Sequence, residues 1–289
     1  MDRCVIITPA HNEEAFITKT IESIINQVLK PVVWIVVNDG SSDSTAEVVE
    51  RYKARYSFIK LINLERSGNR HFGNKVHAFN QGLELARHFE YDFIGNLDAD
   101  ISFECDYLQR LLAEFQKDPV LGLAGGMVAS YIDGKFVRQN VSLDSVAGAV
   151  QMFRRSCFEQ VGGYVALPLG GIDATAEILA RMKGWRVRTV PELSVLEHRR
   201  TGSATASPLR SRIREGRRLY SLGYTWWFFV FRCIYRSMEQ PRIIGSGAAI
   251  AGFLLGMLRG EPLALAPEAV RFLRTEQREK FLRKLRLFH

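Results

Sequence analysis

The chain has 289 residues, 47% of them apolar and 24% charged, with four scattered cysteines. That is enough material for a large core, and it excludes disordered, collagen-like and disulfide-stapled classes. The formal charge of +8 divides into a net +12 from residue 199 on and a net −4 before it, which narrows the partners to phosphorylated ligands, anionic lipid or nucleic acid.

Taken in chain order, CVIIT (4–8) reads as a buried strand stopped by Pro9. Apolar positions at Ile17, Ile21, Ile24, Ile25 and Val28 follow with helical spacing. Residues 32–37 (VVWIVV) form a second strand, and Asp43 can cap a helix over 43–56. A third strand is expected over 58–62, a helix over 76–89 and a fourth strand over 91–96, ending in LDAD (97–100) before a helix at 104–117. Apolar strands alternating with amphipathic helices predict an α/β fold whose mostly parallel sheet is covered on both faces. Ligands of such sheets sit beyond the carboxyl ends of the strands, where the polar groups at 9–13, 38–43 and 96–100 fall. Residues 120–198 mix short strands and glycines with one clear helix, 173–184. The N-terminus shows no apolar secretory stretch, and the thiols read as free, so the expected compartment is the cytoplasm.

Each polar cluster has two readings. The aspartates of LDAD, two residues apart, suit a divalent ion held by oxygen ligands, Mg²⁺ or Mn²⁺, and equally a capping pair before the next helix. NDGSSDST (38–45) is a turn with a cap, or an acceptor for a base or ribose beside a helix start that favours an anion. TPAHNEE (8–14) offers Glu13 to a ligand, or Asn12 as a cap.

TPAHNEE, VVNDGSSDST, GNKVHAFNQGL, NLDAD and GGIDATAEILARMKGWRV occur in this order over residues 4–200. Together they resemble the inverting family 2 glycosyltransferases of the GT-A, nucleotide-diphospho-sugar transferase-like fold. The resemblance implies that Pro9, His11, Glu13 and Asp39 contact the nucleotide, with Lys75 near the diphosphate. It makes Asp98 and Asp100 the DxD pair, Asp98 nearer the ribose and Asp100 on the metal. Asp173 stands where the family carries its catalytic base, but Ile172 replaces the usual acidic partner. Asp173 can also be an N-cap, and Glu177, one turn on, is the substitute base. In LEHRRTG (196–202), His198 is a metal ligand, a phosphate contact or a structural imidazole, and Arg199 and Arg200 are diphosphate clamps. GAVQMFRR (148–155) resembles an acceptor-side strand, or is core.

The expected organisation is a GT-A catalytic domain over 1–203, with a donor-nucleotide half (1–120) and an acceptor half (121–203). A basic, hydrophobic helical region follows over 204–289. Residues 243–258 are apolar but too short for the roughly 20 that span a bilayer. With Trp226, Trp227 and the basic helix near the C-terminus, they suggest peripheral attachment to the cytoplasmic face of a membrane; the alternative is packing on the body or on a second subunit. The resulting expectation is a metal-dependent transferase moving a sugar from a UDP- or GDP-sugar to a saccharide or lipid-linked acceptor hydroxyl, with no nucleic acid partner. The alternative is a nucleotide-sugar-binding protein without transferase activity, and substitution of Asp173 separates the two.

Overall fold

The computed structural model describes residues 2–65, 72–132, 134–199, 207–235 and 242–286. Two compact units emerge, one of Met1–Pro168 with Ile172–Thr201, the other of Leu169–Gly171 with Gly202–His289.

The first unit opens with β1 (Cys4–Ala10), α1 (Ile17–Ile25), β2 (Val33–Asp39), α2 (Thr45–Lys53), β3 (Ile59–Leu64), α3 (Phe72–Ala86) and β4 (Phe93–Leu97). It continues with β5 (Ile101–Phe103), α4 (Tyr107–Lys117), β6 (Leu121–Ile132), β7 (Lys135–Arg138) and β8 (Val150–Arg154). The last elements are α5 (Arg155–Val161), α6 (Ile172–Met182) and β9 (Arg186–Glu197). The strands form one sheet in the order β3-β2-β1-β4-β8-β6-β9-β5, with β7 on β6. Pairing is parallel through β3, β2, β1 and β4, and again between β6 and β9. β8 runs antiparallel to both β4 and β6, which joins the two parallel regions into one mixed sheet.

The apolar runs of β1 and β2 follow from burial on both faces. Cys4, Ile6, Trp34 and Val36 face the side covered by α1, α2 and α4, whereas Val5, Ile7, Val33 and Ile35 face α3, α5 and α6. Inside the first layer Trp34 donates Nε1–H to Thr8 Oγ1 at 2.9 Å, which satisfies a fully buried indole. Pro9 does not stop β1. The strand runs on beside β2 to Ala10, while its pairing with β4 ends at Ile7, so the missing Pro9 N–H falls where one neighbour has already left the sheet. Gly126 lies where β6 slips register against β9, and a methyl group there would meet Leu193 O at 2.4 Å.

The second unit holds α7 (Pro208–Ser221), α8 (Trp226–Tyr235), α9 (Arg242–Leu258) and α10 (Pro267–Arg286). Gly216 backs onto Ala249 O and Gly252 onto Ile213 O, where a side-chain carbon would fall within 2.0 Å, so α7 and α9 approach almost backbone to backbone. The apolar side of α10 turns inward: Val270 and Leu273 are buried, and Phe281 packs its ring on Trp227 and Phe231. Exposed apolar residues are most numerous on α8 (Trp226, Ile234, Tyr235) and α9 (Ile244, Leu254, Leu258), with Leu209 and Ile213 of α7 and Leu282 of α10 also exposed. Among the described residues no helix is long and apolar enough to cross a membrane.

Candidate active site

The carboxyl ends of β1, β2 and β4 meet at one edge of the parallel region, and the loops leaving β1 and β2 are laced together. Asn12 adopts a left-handed backbone (φ 54°), and its side chain accepts the Ser42 N–H at 2.9 Å while its own N–H donates to Ser41 Oγ at 3.0 Å. Glu13 N–H donates to Thr45 Oγ1 at 2.8 Å, Glu14 N–H to Asp43, and Ser44 N–H to Glu14 Oε2. His11 Nδ1 lies 2.8 Å from Asp39 O, which calls for the Nδ1–H tautomer. The hydroxyl-rich 41–45 segment is therefore chiefly loop-to-loop mortar. Asp39, the last residue of β2, and Pro9, next to last in β1, are both half-buried.

Asp98 and Asp100 sit in the turn between β4 and β5, after the strand has ended, and not on the strand itself. Asp98 N–H is anchored to Ala149 O at 2.9 Å, and its carboxylate holds Lys75 Nζ at 2.5 Å. Burial works against the Lys75 charge, but Asp98, then Asp173 and Asp100, outweigh it and raise the Lys75 pKa. Asp100 is buried, with Arg199 Nε 3.6 Å from its carboxylate. Burial first, then the charges of Asp98, Glu13 and Glu197, push its carboxyl up to about 8, with Arg199 pulling the other way. Arg199 also pairs with Glu13, donates to Asn12 O at 3.0 Å and lies over the Phe16 ring. Four carboxylates thus crowd around two cations at the ends of three strands.

His198 follows β9, its N–H bonded to Asp100 O at 2.8 Å. Its Nε2 faces Ser102 Oγ at 2.7 Å, its Nδ1 faces Lys19 Nζ at 3.5 Å, and Phe136 meets the ring edge-on. Burial, then the Lys19 ammonium, lower its pKa, which keeps the imidazole neutral at pH 7. Among the described residues no three His, Cys, Asp or Glu side chains are arranged to hold a metal alone. A Mg²⁺-like ion ordinarily completes its shell with ligand oxygens and water.

Asp173 opens α6 and lies against Gly148, where a methyl group would come within 3.0 Å of Asp173 Oδ2. Glu177, the substitute candidate, has both carboxylate oxygens engaged. It is buried, with Oε1 accepting from Val146 N–H at 2.8 Å and Ser145 Oγ at 3.1 Å, and Oε2 facing Arg181. Burial raises its pKa to about 7 against the pull of Val146 and Arg181, with Asp173 adding to the rise. On the GAVQMFRR strand, Gln151 is fully buried and accepts from Tyr164 OH at 2.7 Å, a core arrangement. Arg200 lies outside the described residues. Glu197 escaped sequence reading; it accepts from Ser130 Oγ at 2.5 Å and from Gln139, and the available signal was its place beside His198 at the end of a strand.

The glycosyl transferase family 2 model matches residues 5–163. The poly-beta-1,6-N-acetyl-D-glucosamine synthase of Staphylococcus epidermidis is 29% identical over 171 residues, covering 53% of this chain and 39% of that protein. Its counterpart from Staphylococcus aureus strain COL is 25% identical over 210 residues, 66% of this chain and 48% of the other. The chain thus spans less than half the length of these curated relatives. Among solved structures, the mannosyltransferase PcManGT from Pyrobaculum calidifontis, in complex with GDP-Man and Mn²⁺, superposes with a TM-score of 0.56 at 19% identity, over 99% of this chain and 82% of the other. S. aureus TarS 1–349 in complex with UDP-GlcNAc gives 0.55 at 17%, over 89% and 73%. The shared architecture is the GT-A fold.

Proposed function

The chain belongs to glycosyl transferase family 2, and from that membership we propose that it is an inverting transferase moving a sugar from a nucleoside diphosphate to an acceptor hydroxyl. The observation that carries this reading is the acid cluster of Glu13, Asp98 and Asp100, met by Lys75 and Arg199, with Asp173 against Gly148 nearby. Pro9 near the end of β1 and His11 in the β1–α1 loop, together with Asp39, hold the nucleotide. Lys75 and Arg199 exchange their carboxylate partners for diphosphate oxygens, and Arg200 adds to them. Asp173 accepts the acceptor proton as the oxygen attacks the anomeric carbon opposite the leaving diphosphate, which inverts the configuration.

A divalent ion fits this donor set. Asp100 holds its proton up to about 8 because burial and neighbouring carboxylates leave its charge uncompensated, the condition a dication relieves. Asp100 and Asp98 would hold it, with His198 as a third ligand if its ring leaves Ser102, and Mn²⁺ or Mg²⁺ there would neutralise charge on the departing diphosphate. Mn²⁺ in PcManGT and the sugar nucleotides bound by PcManGT and TarS support the choice of a metal and of a UDP- or GDP-sugar. The acceptor class, a growing saccharide or a lipid-linked one, draws on the polysaccharide synthases among the relatives.

Attachment to a membrane surface belongs to the same reading. Ile244, Ala251, Leu254 and Leu258 make an exposed stripe on α9, flanked in sequence by Arg242 and Arg259. Such a helix lies in the lipid interface without spanning it.

Calorimetric titration with UDP, GDP, CDP and dTDP, each with Mn²⁺ and with EDTA, tests the donor site. Metal-dependent binding of one nucleotide supports it, and no binding in either condition sinks it. The second reading, a nucleotide-sugar-binding protein without turnover, is favoured by Ile172 in place of an acid beside Asp173. Asp173→Asn decides: a real base loses roughly 10²–10⁴-fold in turnover while donor affinity is kept.

A further inference from the structure

Among the described residues Asp100 and Glu177 are the two buried carboxylates, and the mechanism above uses only the first. An apolar side chain would fill the Glu177 site at lower desolvation cost. Its Oε1 is committed to a single loop, while Oε2 faces Arg181 on the same helix. One turn of α6 grips residues 144–146 through Glu177 to the Val146 N–H and Ser145 Oγ, while Arg181, one turn further on, donates to Asp144 O at 3.3 Å. Thr189 of β9 holds the same loop from the other side through Ser145 O.

Just beyond the grip, the loop supplies two carbonyls to the donor side. Gly148 O accepts from Asn96 Nδ2 at 2.9 Å, and Ala149 O accepts the Asp98 N–H at 2.9 Å. Gly148 is also the residue against which the Asp173 carboxylate rests. The segment 144–149 therefore touches both ends of the proposed chemistry, Asp98 on the donor side and Asp173 on the acceptor side, and α6 carries both Asp173 and the residue that fastens the segment.

We propose that Glu177 is a positioning residue: it clamps the 144–149 segment to α6 and so sets the spacing between Asp173 and Asp98. Its effect on turnover rests on the transferase reading, whereas its effect on the segment does not. A shift of about 1 Å at a reacting group costs roughly 100-fold in rate, so a loosened clamp is felt in turnover well before it is felt in donor binding.

The test uses the full chain as wild type, Glu177→Ala and Glu177→Gln, followed by amide hydrogen exchange and by steady-state turnover with the donor found by titration. In Glu177→Ala, exchange is expected to rise about tenfold or more at 144–149 and at the Asp98 amide, with β1 and β2 unchanged. Turnover falls roughly 10- to 100-fold with donor KM nearly constant, and Glu177→Gln, which keeps an acceptor for Val146, recovers most of both. An Asp98 amide that exchanges as in wild type overturns the proposal, and so does a rise spread evenly over the unit, which marks a core residue only. If wild type turns over no nucleotide sugar, the transferase reading fails by that result alone, and the exchange pattern still decides the clamp.

Discussion

Glu177→Gln should abolish a pH dependence of stability that Glu177 gives the wild type. Folding raises this carboxyl from its ordinary 4.5 to about 7, chiefly by burial, with Asp173 adding to the rise and Val146 N–H, Arg181 and Ser145 opposing it. Below pH 4.5 the folded and unfolded chains both hold the proton. Between 4.5 and 7 the unfolded chain releases it and the folded chain keeps it, so stability falls as pH rises, by up to about 1.4 kcal/mol per unit. Above 7 both are ionised, and the accumulated cost, about 3 kcal/mol, stays constant. A glutamine cannot titrate, and the other ionisable groups are common to both proteins. The stability of wild type relative to the variant should therefore drop by about 3 kcal/mol from pH 4.5 to 7.5 and then level off. Urea unfolding of both chains at half-unit pH steps measures it. A difference that stays flat across this window would mean that Arg181 and the Val146 N–H keep Glu177 ionised throughout, and the burial argument would be wrong.

Gly148→Ala places a carbon 3.0 Å from Asp173 Oδ2, so turnover should fall roughly tenfold or more while nucleotide affinity measured by calorimetry stays within about threefold; equal loss in both would contradict the assignment of Asp173 to the acceptor side. Thr8→Val removes the acceptor of the Trp34 Nε1–H, a buried bond of 2.9 Å, and should cost about 1–3 kcal/mol in urea unfolding. A loss under about 0.5 kcal/mol would mean the indole finds another acceptor. Lys75→Met takes the ammonium off Asp98 and should tighten Mn²⁺ binding without nucleotide by roughly tenfold, read by calorimetry. Unchanged affinity would separate Asp98 from the metal site.

The sequence by itself determined the parallel half of the sheet and the rim on which the acids stand. β1, β2 and β4 are legible because burial on both faces writes an unbroken apolar run, and a strand's carboxyl end is marked by the polar residues that follow it. Asp98 and Asp100 were visible because their relationship is local, two residues apart. Partnerships across long stretches of chain were decided only by tertiary structure: Lys75 with Asp98, Arg199 with Glu13, Glu177 with Val146. No periodicity encodes a contact between residues 23 to 186 positions apart, since it depends on how crossovers and strand order bring loops together. Pro9 inside β1 is a case of the same kind, because only the early end of β4 makes a missing N–H harmless there. α10 is another: its basic, apolar pattern suits a lipid surface or a packed helix equally. The choice fell to Trp227 and Phe231, whose rings take up Phe281, while Leu282 beside it stays exposed. An amphipathic pattern shows that a face is buried; what buries it is settled by the neighbours that folding supplies.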